Sequence, residues 1–261
     1  MPGKGELRLN MTEKKARVVV VTGGGSGIGR AIAGAFIQNK AQVVIIGRRE
    51  DVLQAAARDL GTGCHWQRAD VSQRDQVMTA VQAIVEQFGK VDILINNAGF
   101  ARGITADMSL AQAEQIWDEE LDTNLKGAFL MALAVVPHLP RPGGRIINIG
   151  SDGAFTGGRG LGTAGYAAAK AGLLGLTHAL AREYSPRGIT VNVIAPGFIA
   201  NTELTGHLPE QVVNDIAAQL PIGRPGQVDD VAAAVLFLAS PDAGFITGEV
   251  LNVNGGRLFG H

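Results

Sequence analysis

Cysteine is almost absent from this chain. Cys64 is the single one in 261 residues, which excludes an intrachain disulfide and leaves an inert, buried thiol as the expectation. Long hydrophobic runs are missing as well: no stretch reaches the ~18 uninterrupted apolar residues of a membrane span, and the N-terminus has no signal-like apolar region. Neither sign of charge is in excess. Lys and Arg number 23 against 24 Asp and Glu, a formal net charge of −1, so neither nucleic acid nor an anionic membrane has an electrostatic claim on the protein. No metal site is expected. These absences together lead to the expectation of a soluble, cytoplasmic protein.

What the chain does have is glycine. Its 36 glycines and 10 prolines lie between periodic segments rather than in a block, as many tight strand–helix turns require. An apolar fraction of 46% supplies a sizeable core. Met1 to Lys15 is polar and aperiodic and reads as a flexible leader, with residues 16–261 expected to form one domain. In that domain Val18 to Val21 is a continuous β-branched run, the signature of a parallel strand buried on both faces. Further strands are expected at 42–46, 64–69, 91–95, 145–150, 189–194 and 249–253. Helical patterns fall at 51–60, 73–88, 110–139 with a break near Asp122, 163–184 and 228–238, besides one from the first glycine loop to about Asn39. Residues 198–224 show no strand pattern and read as a substrate-side insertion holding a short helix. Alternating strands and helices predict an α/β fold: a Rossmann-type, doubly wound parallel sheet of about seven strands with helices on both faces.

Three stretches carry chemistry. Gly23, Gly25, Ser26, Gly27, Ile28 and Gly29 form a glycine-rich turn between the first strand and first helix, where backbone N–H groups and the helix dipole suit a phosphate. At the end of the second strand Gly47 is followed by Arg48 and Arg49, with no carboxylate before Glu50. Guanidinium groups there favour the 2′-phosphate of NADP(H), whereas an acidic residue would select the ribose hydroxyl of NAD(H), which stays the alternative. The third stretch holds Tyr166 and Lys170, one helical turn apart, downstream of Ser151 at a strand end. An ammonium beside a phenol favours the phenolate, and a serine hydroxyl there can hydrogen-bond the oxygen that the tyrosine protonates.

With these pieces in place the chain resembles the short-chain dehydrogenase/reductase family over nearly its whole length after the leader. The resemblance rests on Thr22-Gly-Gly-Gly-Ser-Gly-Ile-Gly29, Asp70-Val71, Asn96-Asn-Ala-Gly99, Asn124, Ser151, Tyr166-Ala-Ala-Ala-Lys170 and Pro196-Gly197, in that order. Within the family it is similar to bacterial 3-oxoacyl-(acyl-carrier-protein) reductases, through runs such as Ile146-Ile-Asn-Ile-Gly-Ser151 and Ile246-Thr-Gly-Glu-Val-Leu-Asn-Val-Asn-Gly-Gly256. The resemblance implies a catalytic tetrad of Asn124, Ser151, Tyr166 and Lys170. Tyr166 donates a proton while the nicotinamide delivers hydride, Ser151 polarises the carbonyl, and Lys170 lowers the Tyr166 pKa and binds the ribose. It further implies that Asn124 holds a water and that Asp70, with Val71 beside it, contacts adenine. Asn97, Ala98 and Gly99 line the adenosine side, while Pro196, Gly197 and Ile199 lie by the carboxamide. Asn201-Thr202 sits one residue out of step with the family's amide-contacting threonine, and Thr202 is taken for that role.

Asp152, directly after the serine, is expected either to contact a polar substrate or to face solvent. Phe155, Phe198, Leu204 and Leu208 are candidates for an apolar substrate pocket, and Arg141, Arg159 and Arg187 for a basic patch that an acyl-carrier protein or coenzyme A thioester would need. Ala164, Ala167, Ala168, Ala171, Gly172 and Gly175 make a small-faced helix, and with the resemblance point to a homotetramer or homodimer. The expected activity is NADPH-dependent reduction of a ketone or 3-oxoacyl thioester. Oxidation of a sugar, polyol, steroid or other secondary alcohol is the alternative enzyme, and a non-catalytic NADPH sensor the alternative outside enzymes.

Overall fold

The computed structural model describes residues 16–158 and 160–260. Seven parallel strands form one sheet in the order β3-β2-β1-β4-β5-β6-β7. They are β1 (Val18–Thr22), β2 (Gln42–Gly47), β3 (Cys64–Arg68), β4 (Ile93–Asn96), β5 (Arg145–Ile149), β6 (Thr190–Pro196) and β7 (Val250–Val253). The long helices are α1 (Gly27–Gln38), α2 (Glu50–Leu60), α3 (Arg74–Phe88), α4 (Leu110–Leu121), α5 (Gly127–Val135), α7 (Ala164–Tyr184), α8 (Glu210–Ala218) and α9 (Val228–Ala239), with α6 a single turn at Gly153–Thr156.

The side-chain alternation of the strands divides the core in two. Val18, Val20, Leu94 and Ile146 face one layer with Val77, Ile84, Met131 and Leu180 from α3, α5 and α7. Val19, Val21, Ile95 and Ile147 face the other with Ile32, Phe36, Leu53 and Val235 from α1, α2 and α9. Each fully buried aliphatic side chain contributes ~1.5–3 kcal/mol, so strands apolar on both faces are stable only when covered on both.

Strand order reverses at β1, whose neighbours are β2 and β4. A crevice opens there, outside the carboxyl ends of the strands. Two boundaries differ from the sequence reading for local reasons. Strand β4 begins at Ile93, and Asp92 before it binds Val18 twice, its N–H donating to the Val18 carbonyl at 2.8 Å and its carboxylate accepting the Val18 N–H at 2.7 Å. Strand β6 runs on to Pro196, which pairs with Val253 and accepts the Asp152 N–H at 2.9 Å. The break expected near Asp122 is a π-helical turn, Asp122–Lys126.

Candidate active site

The crevice is lined at one end by the loop from β1 to α1, and no side chain caps α1. Ser26 occupies the N-cap position without capping, and no acidic residue lies in the first turn. The first-turn N–H groups and the dipole of α1 therefore face the crevice free for an anion, and the residues fit a dinucleotide phosphate. A Cβ on Gly29 would stand 2.3 Å from the Gly23 carbonyl oxygen, so only glycine allows the turn to close this tightly. Gly23, Gly25, Gly27, Ile28, Arg48, Arg49, Asp70, Val71, Asn97, Ala98, Gly99, Pro196, Gly197, Ile199 and Thr202 all border the same crevice. Asn97 fastens its floor, donating to the carbonyls of Thr22 at 2.9 Å and Gly23 at 3.2 Å. Asp70 is engaged by its own turn, accepting from the N–H and hydroxyl of Ser72. Asn201 adopts a left-handed φ of +57° and points to solvent, absorbing the extra residue, and Thr202 is the one against the glycine loop.

Ser151, Tyr166, Lys170 and Asn124 meet at the other end. Tyr166 and Lys170 project from the first turns of α7, with the Lys170 Nζ 5.7 Å from the centre of the tyrosine ring. Lys170 is buried and donates to the Ile149 carbonyl at 2.8 Å, and burial pushes its ammonium down to about 8. The Tyr166 phenol is raised above its ordinary value by burial, and the facing Ser151 hydroxyl only partly opposes this. Asn124 lies in the π-turn and donates to the carbonyls of Phe100 and Glu120, both at 2.9 Å. Its Oδ1 is buried without a partner, beside Gly99 and the Lys170 side.

Three expectations are corrected. Asp152 neither faces solvent nor lines the crevice: it is buried and paired with Arg257 at 2.7 Å. Arg141 and Arg187 precede β5 and β6, so they lie at the N-terminal edge of the sheet, opposite the crevice, and make no patch at its entrance. Arg159 lies outside the described residues, as do Met1 to Lys15. Of the proposed apolar lining, Leu204 borders the crevice, whereas Phe198 is buried in the fold and Phe155 and Leu208 are not part of the lining.

Two carboxylates escaped the sequence reading. Glu203 reaches across the crevice mouth to Arg49 and accepts from Ser26 Oγ at 3.0 Å, with Arg49 holding its carboxyl below the usual range. Glu120 is buried beneath the Tyr166 turn. Nothing local marks either, since each meets its partners through the tertiary fold alone.

A glycine loop on a free helix N-terminus, joined along one crevice to a Ser–Tyr–Lys cluster, defines a nicotinamide-dinucleotide-dependent oxidoreductase. A family profile described as enoyl-(acyl carrier protein) reductase matches residues 23–257. The 3-oxoacyl-(acyl-carrier-protein) reductase FabG of Escherichia coli is 42% identical over 93% of this chain and 97% of its own, and that of Vibrio cholerae 40% over the same shares. Among solved structures, a blue fluorescent protein from a metagenomic library in complex with NADPH is 35% identical, with TM-score 0.84 over 93% of this chain and 98% of its own. A glucose/ribitol dehydrogenase of the short-chain family from Brucella melitensis is 33% identical, with TM-score 0.86 over 94% and 97%. The chain belongs to the short-chain dehydrogenase/reductase family.

Proposed function

We propose that the protein is an NADPH-dependent reductase converting a ketone, foremost a 3-oxoacyl thioester on acyl-carrier protein or coenzyme A, to the secondary alcohol. The observation that carries this reading is one crevice with Ser151, Tyr166 and Lys170 at one end and Arg48 and Arg49 at the other. The FabG relatives support the thioester, and the neighbour holding NADPH supports the cofactor.

A nicotinamide bound here supplies hydride to the carbonyl carbon. Tyr166 is the proton donor to the carbonyl oxygen, and a phenol kept neutral by burial stands ready as an acid at neutral pH. Ser151 polarises the same oxygen. Lys170 binds the ribose and moves the replacement proton toward Tyr166, and Asn124 holds a water through its unpartnered Oδ1. Gly23, Gly25, Ser26, Gly27, Ile28 and Gly29 hold the pyrophosphate, Arg48 and Arg49 the 2′-phosphate, and Asp70, Val71, Asn97, Ala98 and Gly99 the adenosine. Pro196, Gly197, Ile199 and Thr202 hold the carboxamide. The protein acts in the cytoplasm as one domain over residues 16–261, assembled as a homotetramer or homodimer.

Tyr166→Phe tests the reading. Turnover falls ~10³-fold, within the range of lost general acid catalysis, while NADPH binding measured by fluorescence is retained. Turnover equal to wild type contradicts it.

A further inference from the structure

Glu120, at the end of α4, is fully buried, and the cation that acts on it, Arg102, forms its ion pair with a neighbour instead. Its Oε1 accepts the Arg102 N–H at 2.5 Å, but the Arg102 guanidinium is held by Glu119 at 2.7 Å. Its Oε2 has no hydrogen-bond partner and lies against the first turn of α7: a Cβ on Gly165 would stand 2.3 Å from it. Thr163 makes no side-chain cap there and the first turn holds no acidic residue, so the Glu120 carboxylate is what faces the Tyr166 N–H and the positive end of this helix. The Glu120 main-chain carbonyl accepts the Asn124 side chain at 2.9 Å. One residue therefore touches the loop after β4, the π-turn carrying Asn124 and the turn carrying Tyr166.

We propose that Glu120 is a positioning residue for the reduction, holding these three pieces in one arrangement and placing a negative charge behind the Tyr166 phenol. Burying a carboxylate without a cation costs several kcal/mol, and a hydrocarbon filling the contact of α4 with α7 would avoid that cost. The N–H groups and the helix end offset part of it, yet Glu120 is still raised by burial. The charged group acting on it is Arg102 from the β4 loop, which pairs with Glu119 on α4, while Lys170 and Asp152 stand at Tyr166. Asp152 and Glu120 both raise the Tyr166 phenol, but Asp152 is ion-paired with Arg257, whereas Arg102, the cation acting on Glu120, is ion-paired with Glu119.

The inference rests on the reductase reading, and its test separates the two. The chain holds two tyrosines, so in a Tyr184→Phe background the tyrosinate absorbance titration of the free protein reads Tyr166 alone, without turnover. Glu120→Gln removes the charge and keeps an acceptor for Arg102. It shifts the Tyr166 ionisation to lower pH and reduces kcat about tenfold, with KM for ketone and NADPH within about twofold, as expected of lost orientation rather than lost binding. Should that variant not fold, Glu120→Leu fills the site as hydrocarbon and carries the same two readouts. An unmoved titration with wild-type kcat in whichever variant folds overturns the proposal. A wild type inactive on every ketone overturns the reductase reading instead.

Discussion

Lys170 shows what a functional residue asks of the fold that holds it. An ammonium pushed from its ordinary 10.5 to about 8 by burial is opposed by about 3 kcal/mol relative to the neutral amine. A base with a depressed folded pKa binds fewer protons folded than unfolded between those values, so stability rises with pH across that window. Tyr166, raised above 10, acts in the opposite sense only beyond it. Thermal unfolding of wild type and Lys170→Met from pH 7 to 10 checks this: the difference moves in favour of wild type above about pH 8, and a pH-independent difference contradicts it. Glu203 is the other residue with a consequence, because its carboxylate occupies Arg49, which a 2′-phosphate would use, and Ser26 of the phosphate loop. Glu203→Gln is therefore expected to lower KM for NADPH about two- to fivefold, read from initial rates, through removal of a competing charge. At this scale the sequence named the groups that meet at one end of the crevice but not their environment. Tyr166, Lys170 and Ser151 were legible from order and spacing. Asp152 was misread because its partner Arg257 is remote in the chain, and Glu120 looked like one more charge on a polar helix.

The elements themselves were mostly legible, because runs such as Val18–Thr22 leave a strand buried on both faces as the only good solution. The π-turn was visible only as a break. A polar residue at that break reads as one that satisfies kinked backbone, and Asn124 supplies from its side chain a bond to the Glu120 carbonyl. Such a turn is costly unless its freed groups are met, and Asn124 meets two of them. Asn124→Ala is expected to destabilise the protein by about 2 kcal/mol, several degrees in melting temperature by calorimetry, and to reduce kcat as well. An unchanged melting temperature would mean the turn is held by packing alone.

At the scale of the whole molecule, Ala164, Ala168, Ala171 and Gly175 form an exposed stripe of small residues along α7. Phe129 and Leu133 of α5 are each 41% exposed. Small residues let helices approach closely, so Ala168→Glu is expected to reduce the proposed oligomer to a smaller species in light scattering, with secondary structure intact. An unchanged mass would place the interface elsewhere. The doubly wound parallel sheet followed from strand–helix alternation and right-handed crossovers, whereas its strand order and the placing of residues 198–224, which carry no strand pattern, came only from the structure. The central claim is tested most directly by following NADPH consumption across a panel containing a short 3-oxoacyl thioester, diketones, simple ketones and a keto-sugar. The account predicts that kcat/KM for the thioester exceeds that for simple ketones by at least about tenfold, a difference of ~1.4 kcal/mol in transition-state binding. Turnover confined to the keto-sugar or to free ketones, with the thioester inert, would contradict it.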